Sequence, residues 1–230
     1  MDIEIYKKIA DDEINNPQWM ETKQFLEVNE FYKVNNEYIY ERYSINNDSN
    51  RYYDYKLPPV KVDCEIIFYY KILNQHYFFA IVVDKTKKDV SRVFIRNSTY
   101  CYLSAFSDNM TLKEMAKLTK IKYSDGITKG EKIKHGRSGY YQSSFIKFKF
   151  TEETSYELEE SLNMLLDNLE KDKNGIKKLV KKTAASIIIC KHQCVSANAY
   201  IEIDKKTIKR LNELNLDIKI DMYCVGEFML

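Results

Sequence analysis

The sequence predicts an α+β protein in which antiparallel or mixed sheets are packed by a few amphipathic helices and divided between two subdomains. Three observations predict it. Tyr38 to Arg96 is a succession of β-rich runs separated by short polar turns, whereas the chain from Asn97 onward alternates strand and helix signals. Gly (6) and Pro (3) are too sparse for long linkers or a loop-dominated fold, and 44% hydrophobic with 30% charged residues is an ordinary globular balance.

Residues 10–34 read as a helix with Trp19, Met20, Phe25, Leu26 and Phe31 as its apolar points, and with Pro17 near a helix start, where its missing N–H costs nothing. Tyr38–Tyr43 is a strand and Asn46–Asn50 a polar turn. Val60–Leu73 and His76–Asp84 form a hairpin about Asn74-Gln75, and Lys85–Asp89 leads to a further strand, Val90–Ile95. Thr99–Phe106 is the next strand. Thr111 and Glu114 then make a capping box for a short helix ending near Leu118. Four of the six glycines fall at 126, 130, 136 and 139, so residues 124–139 are expected as loop, followed by a strand over Tyr140–Phe150.

Thr154 and Glu157 make a second capping box. It opens the clearest helix, with Leu158, Leu162, Leu165, Leu166 and Leu169 at three- and four-residue spacing. Asn174-Gly175 interrupts it before a short helix over Ile176–Lys182. Ala184–Val195 and Ala197–Ile203 read as paired strands. Asp204 caps a helix with Ile208, Leu211 and Leu214 on one face, and Asp217–Cys224 closes as a strand.

The charges nearly cancel, 36 Lys+Arg against 34 Asp+Glu, which makes nucleic acid an improbable partner. The N-terminal residues show no charged lead before an apolar run, and Ile66–Tyr70 and Phe78–Val83 are far too short to cross a bilayer. Five cysteines, odd in number and set mostly in apolar runs, suit a reducing compartment. A cytoplasmic chain without membrane association is expected.

Several stretches in the second half carry a resemblance. They are Ser107-Asp108 before the short helix Met110–Leu118, the loop Thr128-Lys129-Gly130-Glu131, the amphipathic helix from near Tyr156, the apolar strand Ser186–Cys190 and the closing segment Leu211–Tyr223. Over roughly residues 97–225 the chain resembles the bacterial domain-of-unknown-function family numbered 4279. Where that family carries a proline after its first strand this chain has Met110-Thr111, and in place of its tryptophan it has Tyr140 or Tyr141. The resemblance brings no catalytic residues with it. It divides the chain into a Tyr-rich, mainly β domain at 1–96 and an α+β domain at 97–230.

Five clusters are candidates for chemistry. Cys190, His192 and Cys194 would share one face of a strand as soft metal ligands, or simply be buried at a strand end. Lys61, Asp63 and Glu65 alternate on a strand as in a metal-dependent nuclease, or form its solvated side. Lys171, Lys173, Lys177, Lys178, Lys181 and Lys182 would touch phosphates or line a solvated helix. Lys129, His135 and Arg137 would hold an anionic ligand, or His135 would serve as a base. The last cluster is aromatic: 11 of the 19 tyrosines lie in residues 1–96, and Tyr52, Tyr53, Tyr55 and Tyr69 are the expected anchors for another protein.

No catalytic residues, metal ligands or cofactors are assigned. The expected function is a non-catalytic protein-binding module, an inhibitor of the immunity, antitoxin or phage counter-defence kind whose partner is a toxin, nuclease or defence component. The alternatives are a metal-dependent hydrolase or nuclease using Asp63 and Glu65, and a scaffold subunit of a larger assembly.

Overall fold

The computed structural model describes residues 3–44, 65–133, 138–150, 158–197 and 201–226. The fold is α+β. It consists of two compact units, Met1–Ser98 with His192–Asn198 and Cys224–Leu230, and Thr99–Lys191 with Ala199–Tyr223.

In the first unit, helices α1 (Ile3–Asn15) and α2 (Met20–Val28) precede a small hairpin, β1 (Lys33–Val34) and β2 (Glu37–Tyr38), and then β3 (Tyr40–Ser44), β4 (Glu65–Lys71), β5 (Tyr77–Asp84) and the start of β6 (Asp89–Ser107). Strands β3 to β6 are neighbours in chain order and antiparallel, with Tyr70 opposite Tyr40 and Phe79. The single helix expected over residues 10–34 is therefore two. The chain breaks at Asn16-Pro17, where the buried Glu13 carboxylate accepts from the backbone N–H groups of Gln18 and Trp19, both at 3.1 Å. The hairpin at Asn74 forms as expected, with Asn74 at φ 58°.

Alternation along β4 divides its side chains between two buried faces. Phe68, Tyr70 and Ile72 join Phe79 and Ile81 of β5 against Ala10, Ile14, Phe25 and Phe31. Ile67 and Tyr69 take the opposite side with Phe78, Ala80 and Val82. Tyrosines belong to this core because their hydroxyls find partners at its rim: Tyr70 donates to Asp11 and Tyr77 to Asn29, each at 2.7 Å.

In the second unit β6 continues from Thr99. It is followed by α3 (Leu112–Ala116), β7 (Asp125–Ile127), β8 (Ser144–Phe148), α4 (Leu158–Leu169), a 3-10 turn at Glu170–Asp172, α5 (Lys173–Lys182), β9 (Ala184–Cys194), α6 (Lys205–Leu214) and β10 (Asp217–Val225). The strand order is β10-β9-β6-β8-β7. Cys101, Leu103 and Ala105 of β6, Ile146 and Phe148 of β8 and Ile187 and Ile189 of β9 all point to one side. There they meet Leu162, Leu165, Leu166 and Leu169 of α4, Ile176 and Leu179 of α5, and Leu211 and Leu214 of α6. Each such leucine contributes about 2 kcal/mol on burial.

Several expectations are corrected here. Val90–Ile95 and Thr99–Phe106 are one continuous 19-residue strand, β6, because no residue between them breaks the extended backbone. Gly126 sits in a strand rather than a loop: a Cβ there would meet Leu112 and the Phe145 carbonyl, so the glycine permits close approach. The strand before α6 is absent at 201–203, and the rest of its predicted span includes residues 198–200, outside the described ones. On α6 the buried positions are Thr207, Leu211 and Leu214, while Ile208 is 53% exposed, because the helix turns it away from the sheet.

Candidate functional site

The described helices of the second unit meet its sheet on one side, and alternation decides what stands on the other. Since odd positions of β6 enter the core, Tyr100, Tyr102, Ser104 and Phe106 point the other way. Register then carries the same face across β8 and β7: Phe145 is opposite both Phe106 and Ile127, and Lys147 is opposite Ser104 and Asp125. On β10, Ile218 packs toward the core, which leaves Asp217, Lys219, Asp221 and Tyr223 on the open side.

These side chains are organised. The Tyr100 and Tyr102 rings stack with centroids 6.2 Å apart, and Phe106 and Phe145 lie 6.0 Å apart. The Lys147 ammonium lies 4.0 Å from the Tyr102 ring centroid and Lys149 4.5 Å from that of Tyr100. Phe106 and Tyr223 are 46% and 50% exposed, and the other rings are half-buried. Burial, followed by the neighbouring Cys190 thiol and a hydrogen bond to it, pushes the Tyr102 phenol up to about 12, with Asp221 and Tyr223 adding to the effect. Three lysines (147, 149, 219) are balanced on this face by three aspartates (125, 217, 221).

Of the residues singled out by sequence, Cys190 adjoins this face at Tyr102. Tyr69 is 4% exposed, packed beside Phe78 and Phe94 under the Arg96 guanidinium, so its ring is not offered to a partner. Tyr52, Tyr53 and Tyr55 lie outside the described residues, as do Lys61, Asp63, His135 and Arg137. Glu65 accepts from Ser91 at 3.0 Å and pairs with Arg92 at 2.9 Å. Lys129 is exposed; its Nζ donates to the Asp108 carbonyl at 3.3 Å and its backbone N–H to Ser144 Oγ at 2.8 Å.

Around Lys129 the loop residues satisfy one another. Ser107 Oγ accepts from the N–H groups of Asn109 and Met110, Glu131 accepts from Thr128 N–H, and Ser143 donates to Asp108. Of the possible metal ligands on β9, Cys190 adjoins Tyr102, His192 stacks on His76 at 4.5 Å, and Cys194 enters the core of the first unit. Among the described residues no group of three His, Cys, Asp or Glu is placed to hold a metal ion. All six lysines from Lys171 to Lys182 are exposed, while Ile176 and Leu179 between them are buried: a solvated helix face.

The open face was legible in part, since the alternation of Thr99–Phe106 implies two sides. What sequence reasoning missed was that Phe145, Lys147 and Lys149 join Tyr100, Tyr102 and Phe106. That depends on the register between strands some forty residues apart.

Fold and face together define an α+β domain with helices against one side of its sheet and a partly exposed aromatic set on the other. The family model described as "Domain of unknown function (DUF4279)" matches residues 97–225, more than half of the chain, and the chain belongs to that family. No curated protein and no solved structure matches it. Among the described residues no helix is long and apolar enough to cross a membrane.

Proposed function

We propose that this chain is a non-catalytic protein-binding module whose contact surface is the open sheet face of its second unit. The observation that carries the reading is a set of exposed and half-buried aromatic rings accompanied by balanced charges. Phe106, Phe145, Tyr102 and Tyr223 supply large contact area at little entropic cost, and three lysines and three aspartates share the face with them. A face for a polyanion would carry a basic excess, and the described residues of this one carry none.

Such a module acts by covering a surface of its partner, as an inhibitor of the immunity or antitoxin kind does, and a toxin, nuclease or defence component is the partner expected. The four described cysteines are all unpaired and three are buried, which fits a reducing cytoplasm.

The test is affinity capture of the tagged full chain from its host, followed by calorimetry with the purified partner. Phe106→Ala and Tyr223→Ala are expected to weaken binding by on the order of tenfold or more. Met164→Ala, an exposed change on α4, should leave binding unaltered. Equal affinity for all variants overturns the assignment of this face, and recovery of nucleic acid in place of a protein overturns the partner class.

A further inference from the structure

A second surface feature of the chain is the outer edge of β10. Strand β10 is nine residues long and ends the strand order, and among the described residues it is hydrogen-bonded as a strand to β9 alone. Its outer backbone groups are therefore a template for another strand. It contains neither Pro nor Gly, and Ile220, Met222 and Tyr223 are 42%, 49% and 50% exposed.

We propose that two copies of this chain pair edge to edge and antiparallel along β10, with the two-fold axis at Ile220. The sequence Asp217-Ile218-Lys219-Ile220-Asp221-Met222-Tyr223 is self-complementary about that residue. Lys219 of each copy lies opposite Asp221 of the partner subunit, and Ile218 lies opposite Met222 of the partner subunit. Moving the axis one residue in either direction sets Lys219 against Lys219 of the partner subunit, or Asp221 against Asp221 of the partner subunit. The charges thus select one register, in which directly opposed residues share a face and the two open faces continue into one another. This association is independent of the protein-binding reading and adds to it.

The contact is smaller than a standard interface, so dissociation is expected in the micromolar range, and sedimentation equilibrium of the full chain should run from about 1 to about 500 μM. A mass approaching twice 27.4 kDa is expected. Lys219→Asp alone and Asp221→Lys alone each place like charges opposite one another, and each should weaken self-association by about tenfold. An equimolar mixture of the two single variants restores opposite charges across the axis and should dimerise again, as should the double variant Lys219→Asp/Asp221→Lys. Circular dichroism verifies that each variant is folded. A monomer throughout the concentration range overturns the proposal. So does a dimer indifferent to the single reversals, or one that the mixture fails to restore.

Discussion

Two residues of the second unit show how little room the backbone leaves. Asp172 caps α5 by accepting from Gly175 N–H at 3.0 Å, and its other oxygen takes Lys120 N–H at 2.7 Å and Thr119 Oγ1 at 3.0 Å. This arrangement requires glycine at 175, because a Cβ there would lie 2.1 Å from an Asp172 oxygen and 2.8 Å from Thr119 Cα. Gly175→Ala is expected to lower stability by about 1–3 kcal/mol, read as a shift in the denaturant midpoint. Gly130→Ala meets no atom within 4 Å; its cost, about 1 kcal/mol, comes from the left-handed backbone at φ 84°. A Gly175→Ala protein as stable as the parent would show that the cap yields. Hydrogen bonds from Lys120 N–H, Gly175 N–H and Thr119 hold the Asp172 carboxyl below its ordinary 3.8. Because the folded value is depressed, the stability it contributes is complete above that ordinary value and is lost as pH falls through the lower folded one. Thermal melts should thus show Asp172→Asn less stable than the parent near neutrality, with the gap closing below about pH 4. A gap that stays constant with pH would assign the loss to packing instead.

Among the elements, α6 is the one whose position rests on polar contacts as much as on its two buried leucines. Asp204 caps it by accepting from Thr207 N–H at 2.6 Å. Arg210 reaches from it to Glu170 at 2.9 Å, Asn163 at 2.8 Å and Asp167 at 2.6 Å, tying α6 to α4 and the 3-10 turn. Arg210→Ala is expected to destabilise the fold by about 1–3 kcal/mol, more than Asp204→Ala at about 1 kcal/mol. Arg210→Lys should recover only part of the loss, since an ammonium does not reproduce the three-way guanidinium geometry. Equal unfolding midpoints for Arg210→Ala and Asp204→Ala would mean that the network contributes no more than a cap. Both devices lie in local sequence in different degrees. Asp204 was readable as a cap because its acceptor role reaches only three residues along the chain. Arg210 was not, because its partners lie some forty residues away.

At the scale of the whole molecule, the cysteines report how the chain is partitioned between interior and surface. Cys101, Cys190 and Cys194 are buried, and burial together with the nearby Cys190 pushes the Cys101 thiol up to about 12, while Cys224 on β10 is exposed. Alkylation of the native protein at neutral pH, mapped by mass spectrometry, should modify Cys224 at least about tenfold faster than Cys101, and the difference should vanish in denaturant. Comparable native rates would contradict the burial of β6 under α4 and α5.

What the sequence determined by itself were the features set by neighbours along the chain. These are the leucine stripe of α4, the capping box at Thr111, the turn at Asn74, the cap at Asp204 and the α+β class that such elements compose. The hairpin at Asn35-Asn36, with both residues at positive φ, is not among them, because the helix expected over residues 10–34 runs across its first strand. Tertiary structure alone decided which apolar residues are covered. It buried Tyr69, Tyr70 and Tyr77 in a core that composition would place at a surface, and left Phe106, Ile220 and Tyr223 exposed. The physical reason is that strand alternation states only that two faces exist. Which face the helices cover, and which strands share the other, follows from register and packing between segments far apart in the chain.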